Sequence, residues 1–328
     1  MSQSPANTAW GYRHPLALRP GDRVAVVAPA SPFDAATFDA GLEVLARRYQ
    51  PTYGPGLFAC RRYLAGEDAR RAAELDQALA DPAVRGVFAA RGGYGSLRLL
   101  TGLKAPAVPK PVVGFSDLTA VHLALQAAGW VTFHGPVVTQ LATLPGEALE
   151  RLFTLLEDAD RPAPPLQGVP LHGGMAEGPL LGGNLSLVTR LLGTSLMPPM
   201  DGAILLLEDV GERPYRLDRM WTHLGLAGVL DRIGGLALGE FTGCDEPGAD
   251  YGSAEVVADL VAETGLPCVS GLPIGHGAVN LAVPLGARVR LDGDAGILAF
   301  LEPAVEQRVL PGAPGRSPSR APSELHDA

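Results

Sequence analysis

The chain has 328 residues, 47% of them hydrophobic, and a formal charge of −9 from 26 basic against 35 acidic side chains. That is enough apolar surface for two ordinary cores, and the acidic balance, without a Lys/Arg run outside the loose scatter at the C-terminal end, argues against nucleic acid as a partner. No uninterrupted apolar stretch nears the roughly 20 residues that cross a bilayer, so no membrane is expected. The polar opening from Met1 to Trp10 lacks both the basic start and the apolar middle of a secretory signal, so the expected location is cytoplasmic.

Residues 1–15 read as an N-terminal arm, and residues 16–157 as a first domain. The run Arg23-Val-Ala-Val-Val-Ala28 predicts a strand that stops at the loop Pro29-Ala-Ser-Pro32. Residues 34–48 and 67–79 follow as amphipathic helices, the second with Leu75 and Leu79 on its apolar stripe and Arg70, Arg71 and Asp76 pointing outward. Two strand, turn and helix units come next: Gly86-Val-Phe-Ala-Ala90 into Arg91-Gly-Gly-Tyr-Gly95, and Pro111-Val-Val-Gly-Phe115 into a helix opening at Ser116. A short strand, Val131-Thr-Phe133, runs into His134-Gly-Pro136. Three loops thus follow three strands at one edge of a parallel sheet, where doubly wound folds place their chemistry.

Residues 158–175 are rich in Pro and Gly without periodicity and read as a linker. A second domain over residues 176–310 shows a strand at 203–208, a helix at about 215–224, a strand at 236–241, a helix at 253–263 and closing strands at 288–291 and 296–301. Residues 311–328 are polar and turn-rich and read as a disordered tail. Cys60, Cys244 and Cys268 are odd in number and far apart, which indicates reduced thiols, with neither a disulfide frame nor a zinc site. No metal and no cofactor are expected.

Gly114-Phe-Ser-Asp-Leu118 sets a serine between an apolar strand and an apolar helix, where a sharp turn lifts a nucleophile above the sheet edge. The pentapeptide reads equally well as Ser116 capping a helix. A serine nucleophile needs an imidazole to take its proton and a carboxylate to orient that imidazole. Of seven histidines, His14, His172 and His326 fall in the arm, the linker and the tail, and His122 and His223 fall within helices. His276 sits in the Gly-flanked turn Gly271-Leu-Pro-Ile-Gly-His-Gly277 and is the candidate base, with His134 as competitor or substrate contact. Glu208 closes a run of apolar residues, so its charge needs a specific partner and it is the candidate orienting acid. Asp209, and a mere ion pair from Glu208 to Arg213 or Arg216, are the alternatives. Gly92 and Gly93 can turn a backbone N–H toward the developing oxyanion, joined by the amide of Asp117.

These strings, with Gly182-Gly-Asn-Leu185, Pro214-Tyr-Arg-Leu-Asp218 and Pro284-Leu-Gly286, occur in an order that resembles the LD-carboxypeptidase family of muramoyltetrapeptide carboxypeptidases and microcin C resistance hydrolases. The resemblance implies an α/β fold with a flavodoxin-like N-terminal domain and a smaller C-terminal α/β domain, the active site at their interface, commonly in a homodimer. It implies a triad of Ser116, Glu208 and His276 with oxyanion donors from Gly93 and Asp117, and no metal. The implied reaction hydrolyses the L,D amide to a C-terminal D-alanine in murein tetrapeptides, a small peptide substrate with a terminal carboxylate. Arg91, Gly92, Tyr94, His134 and Arg213 are candidate substrate contacts. Two alternatives remain open: an amidase acting on a microcin-type aminoacyl nucleotide, which a stacking aromatic at Trp221 or Tyr251 would favour, and a non-catalytic two-domain binder of a small ligand.

Overall fold

The structure, a computed structural model, describes residues 11–308. Its first half runs β1 (Arg23–Val27), α1 (Ala35–Ala46), β2 (Gln50–Thr52), α2 (Asp68–Ala80), β3 (Gly86–Ala89), β4 (Val112–Gly114), α3 (Thr119–Ala127), β5 (Thr132–His134) and α4 (Gly146–Glu157), with 3-10 turns at Ser96–Gly102, Ser116–Leu118 and Val138–Thr143. The strands pair in parallel in the order β2-β1-β3-β4-β5. This is the flavodoxin-like order, whose switch point lies between β1 and β3. β3, β4 and β5 are buried along their whole length, as strands covered on both faces must be, so their sequences are short apolar runs. α1 starts where expected because Asp34 accepts the Thr37 N–H at 2.9 Å as its cap. α3 is buried from Thr119 to Gln126, since the second half of the chain covers the face that solvent would otherwise reach.

The second half runs β6 (Leu166–Gln167), β7 (Val169–His172), β8 (Met175–Asn184), α5 (Leu185–Leu191), β9 (Ile204–Val210), α6 (Pro214–Leu226), β10 (Gly235–Thr242), α7 (Ser253–Thr264), β11 (Cys268–Ser270), β12 (Val283–Leu285), β13 (Arg288–Asp292) and β14 (Ile297–Phe300). Its eight-stranded sheet has the order β6-β14-β13-β8-β9-β10-β11-β7, parallel from β8 to β11 and antiparallel on both flanks. β12 departs from this sheet and pairs antiparallel with β5, Val283 opposite His134, so the first sheet closes on a strand from the second half.

Three local readings differ from the structure. Residues 158–175, read as an aperiodic linker, carry β6 and β7, and Pro170 is tolerated in β7 because that strand lies at a sheet edge. Arg71, read as outward-facing, is 0% exposed, and its guanidinium reaches backbone carbonyls instead of water. His14, read as part of an N-terminal arm, is tied to the rest of the chain: it lies 3.2 Å from Glu302, and neighbouring Arg13 donates its N–H to Gly129 O at 2.7 Å. The expected disordered tail at 311–328, with His326, lies outside the described residues.

Candidate active site

Ser116 follows β4 with φ at +61°, in the left-handed region. That region costs a residue with a Cβ about 1–2 kcal/mol, whereas a helix cap takes extended dihedrals. The backbone therefore forms a sharp strand-to-helix turn, and the capping alternative does not fit it. The loop after β3 passes close by: a Cβ on Gly92 would stand 3.0 Å from Ser116 Cβ and 3.2 Å from its Oγ.

Glu208 lies on β9, 0% exposed, and its Oε2 is 2.6 Å from Nδ1 of His276. With the Nδ1 proton donated to the carboxylate, Nε2 is the nitrogen left to act as a base. His276 belongs to the turn between β11 and β12, and its ring centroid is 4.8 Å from that of Phe115, the residue before Ser116. No hydrogen bond joins Ser116 Oγ to His276 among the described residues; contacts of this kind commonly close only with substrate seated. Gly275 lets the turn come so near, for its φ is +115° and a Cβ there would lie 2.6 Å from Glu208 Oε2. Its N–H donates to Oδ1 of buried Asn280 at 3.0 Å, which holds the turn in place.

Burial pushes the Glu208 carboxyl above the usual carboxylate range, the hydrogen bond and charge of His276 pull it back, and neighbouring Asp209 pushes it up again. Asp209 points to the other face of β9, as successive strand residues do. There it accepts from Asn184 Nδ2 and from the N–H and hydroxyl of Ser186, each at 2.9 Å, so it anchors the start of α5. Arg213 pairs with Glu246 at 3.2 Å and Arg216 with Glu212 at 3.4 Å, so neither neutralises Glu208.

In the loop after β3, Gly93 has φ +110°, and its N–H donates to no group of the chain among the described residues. Asp117 is the second residue of the Ser116–Leu118 3-10 turn, its amide just past Ser116, while its buried carboxylate accepts the Ser96 N–H at 2.7 Å. Burial raises that carboxyl, against the pull of its hydrogen bonds from Ser96 and Gly95 and of the Arg71 charge. Arg91 donates through Nη1 to Pro32 O at 2.7 Å, and exposed Tyr94 packs edge-on against Tyr63 with centroids 5.6 Å apart. His134 is 0% exposed behind Phe115, with both ring nitrogens unpartnered, and burial holds it well below the usual histidine range. Arg213 is engaged with Glu246, and among the described residues it forms no hydrogen bond or ion pair with Ser116, Glu208 or His276. Among the described residues no group of three or more His, Cys, Asp or Glu could hold a metal ion, and no helix is long and apolar enough to cross a membrane.

The residues that brace this site were not marked by sequence reasoning: Ser31, Arg71 and Asn280. Ser31 carried one signal, its place in the loop after β1, beside the switch point. Arg71 carried none, because a charged residue on an amphipathic helix ordinarily faces water.

The chain matches the families described as the LD-carboxypeptidase N-terminal domain over residues 24–135 and the LD-carboxypeptidase C-terminal domain over residues 177–291. A Synechocystis sp. protein that carries a carboxypeptidase name is 41% identical over 307 residues, covering 92% of this chain and 100% of its own. The murein tetrapeptide carboxypeptidase of Pseudomonas aeruginosa is 35% identical over 291 residues, covering 83% and 94%. Among solved structures, the microcin C7 self-immunity protein MccF superposes with a TM-score of 0.80 over 90% of this chain and 100% of its own, at 22% identity, a likeness of fold alone.

Proposed function

The chain belongs to the LD-carboxypeptidase family and is a peptidase hydrolase, and on that premise we propose that it is a serine peptidase cleaving the L,D amide that joins a C-terminal D-alanine to a murein tetrapeptide. The observation that carries this reading is the 2.6 Å contact of buried Glu208 with His276 beside the left-handed turn at Ser116. Ser116 Oγ attacks the scissile carbonyl carbon as its proton passes to His276 Nε2, and the oxyanion is met by the amides of Gly93 and Asp117. Nε2 then delivers the proton to the departing D-alanine nitrogen as the C–N bond breaks. Water, deprotonated by Nε2, attacks the acyl ester, and as the acyl C–Oγ bond breaks Nε2 returns that proton to Ser116 Oγ, releasing the shortened peptide as its carboxylic acid.

The same reading places the enzyme in the cytoplasm, as a homodimer, recycling peptides of the cell wall. An amidase acting on an aminoacyl nucleotide is less well supported: Trp221 is buried at 4% exposure, which leaves only Tyr251 of the two candidate stacking aromatics on the surface. Incubation with tetrapeptides ending in D-alanine or L-alanine tests the proposal. Free D-alanine should appear from the first substrate only, and Ser116→Ala should abolish it in a folded protein. Turnover by Ser116→Ala, or cleavage of an aminoacyl nucleotide alone, overturns the reading.

A further inference from the structure

Resting on the oxyanion role given to Gly93 above, we propose that Ser31 and Arg71 are positioning residues that lock the 91–95 turn against the loop after β1, so that the Gly93 amide stays aimed at the oxygen gaining charge. The two loops leave adjacent parallel strands at the switch point, and two hydrogen bonds from one residue cross between them. The Ser31 N–H donates to Gly92 O at 3.3 Å, and Ser31 Oγ accepts the Tyr94 N–H at 3.0 Å.

Geometry gives those bonds their consequence. The Gly92 carbonyl and the Gly93 N–H belong to one planar trans peptide and point in opposite directions. Holding the carbonyl on Ser31 therefore turns the Gly93 N–H away from Ser31, and it also resists the peptide flip that a glycine pair otherwise permits. The bond to Tyr94 fixes the next peptide in the same way. Ser31 also fills the space beside Gly93, where a Cβ would fall 2.4 Å from Ser31 Oγ.

Arg71 closes the far end. Its Nη1 donates both to Pro29 O and, at 3.0 Å, to Gly95 O, so one nitrogen joins the two loops. Its Nη2 meets Asp68 Oδ1 at 2.5 Å. A guanidinium that is 0% exposed is costly to bury, and here two of its acceptors are backbone carbonyls in these loops.

The test compares Ser31→Ala, Ser31→Thr and Arg71→Lys in the full chain by kcat, KM, thermal melting and the second-order rate of labelling at Ser116 by a fluorophosphonate, whose adduct is tetrahedral like the intermediate. Removing an oxyanion donor outright costs about 10²–10³ in kcat, so loosening one predicts a loss of about ten- to hundredfold in kcat and in labelling rate, with KM held within about twofold. Ser31→Thr keeps the hydroxyl and should recover both to within about threefold, and Arg71→Lys, with fewer donors, should show the same split. If Ser31→Ala does not fold, Ser31→Cys, a far weaker acceptor of similar size, takes its place. Wild-type kcat and labelling in folded Ser31→Ala or Ser31→Cys overturn the lock. Failure of the wild-type protein to be labelled overturns the serine-peptidase reading itself, and the purpose of the lock with it.

Discussion

Replacing Glu208 by Gln keeps the volume of a side chain that is 0% exposed and removes only its charge. In the proposed mechanism the wild-type carboxylate, 2.6 Å from Nδ1, would hold the tautomer that leaves Nε2 free and stabilise the imidazolium formed as Ser116 loses its proton. An amide in its place can donate to Nδ1, which favours the tautomer with Nε2 already protonated. Two unit charges about 4 Å apart attract by about 4 kcal/mol at an effective dielectric near 20. At about 1.4 kcal/mol per decade of rate, that loss with the wrong tautomer added predicts a fall in kcat of about 10³–10⁴. KM should stay within about threefold, because Glu208 reaches substrate only through His276. The fold should not suffer: burial already disfavours the Glu208 charge, so removing it relieves desolvation, and the melting temperature should hold or rise. D-alanine release under saturating tetrapeptide gives kcat, and a circular dichroism melt checks the fold. A folded Glu208→Gln protein within about tenfold of wild-type kcat would refute the orienting role.

Two further perturbations probe the surroundings of the site. In Gly275→Ala the new methyl would lie 2.6 Å from Glu208 Oε2 at a backbone φ of +115°, so the carboxylate must move. The expected result is a stability loss of about 1–3 kcal/mol and more than tenfold lower kcat, read by melting and D-alanine release; full activity would show that the close Glu208 contact is dispensable. His122 is held by burial at about 4 against 6.5 in the unfolded chain, with Nε2 on Gly114 O at 2.8 Å. Between those values the unfolded chain binds a proton that the folded protein does not, so stability falls as pH drops through that window, by at most about 3 kcal/mol. His122→Gln should lessen the slope there in urea titrations across the window, leaving the part that buried His134 contributes with the same sign, and an unchanged slope would contradict the assignment.

The two kinds of knowledge divide along the length of chain that each property spans. Local pattern was enough for the strand, turn and helix units, because periodicity and turn chemistry act over a few residues. Arg23–Val27, Gly86–Ala89 and Thr132–His134 lie within a residue or so of where their apolar runs put them. The same pattern marked Glu208 as a charge ending an apolar strand and His276 as a residue carried by a glycine-rich turn. It could not name their partners: they lie 68 positions apart, and only the path of β9 beside β10 and β11 brings them together.

Pattern also failed wherever a residue's surroundings come from a distant element. The run at 158–175 looked aperiodic because edge strands need neither a full apolar face nor every N–H, and Val283–Leu285 carries nothing to say that it joins the first sheet through β5. Arg71 is charged on a helix whose local stripe turns it outward, yet loops from two other strands fold over it and supply the carbonyls that hold it. Sequence by itself marked the apolar strand, turn and helix units that lead to the site, and which side chains have chemistry to offer. The tertiary structure decided which of those groups share a cleft, because hydrogen-bond partners and burial are set by packing between halves of the chain that no local window contains.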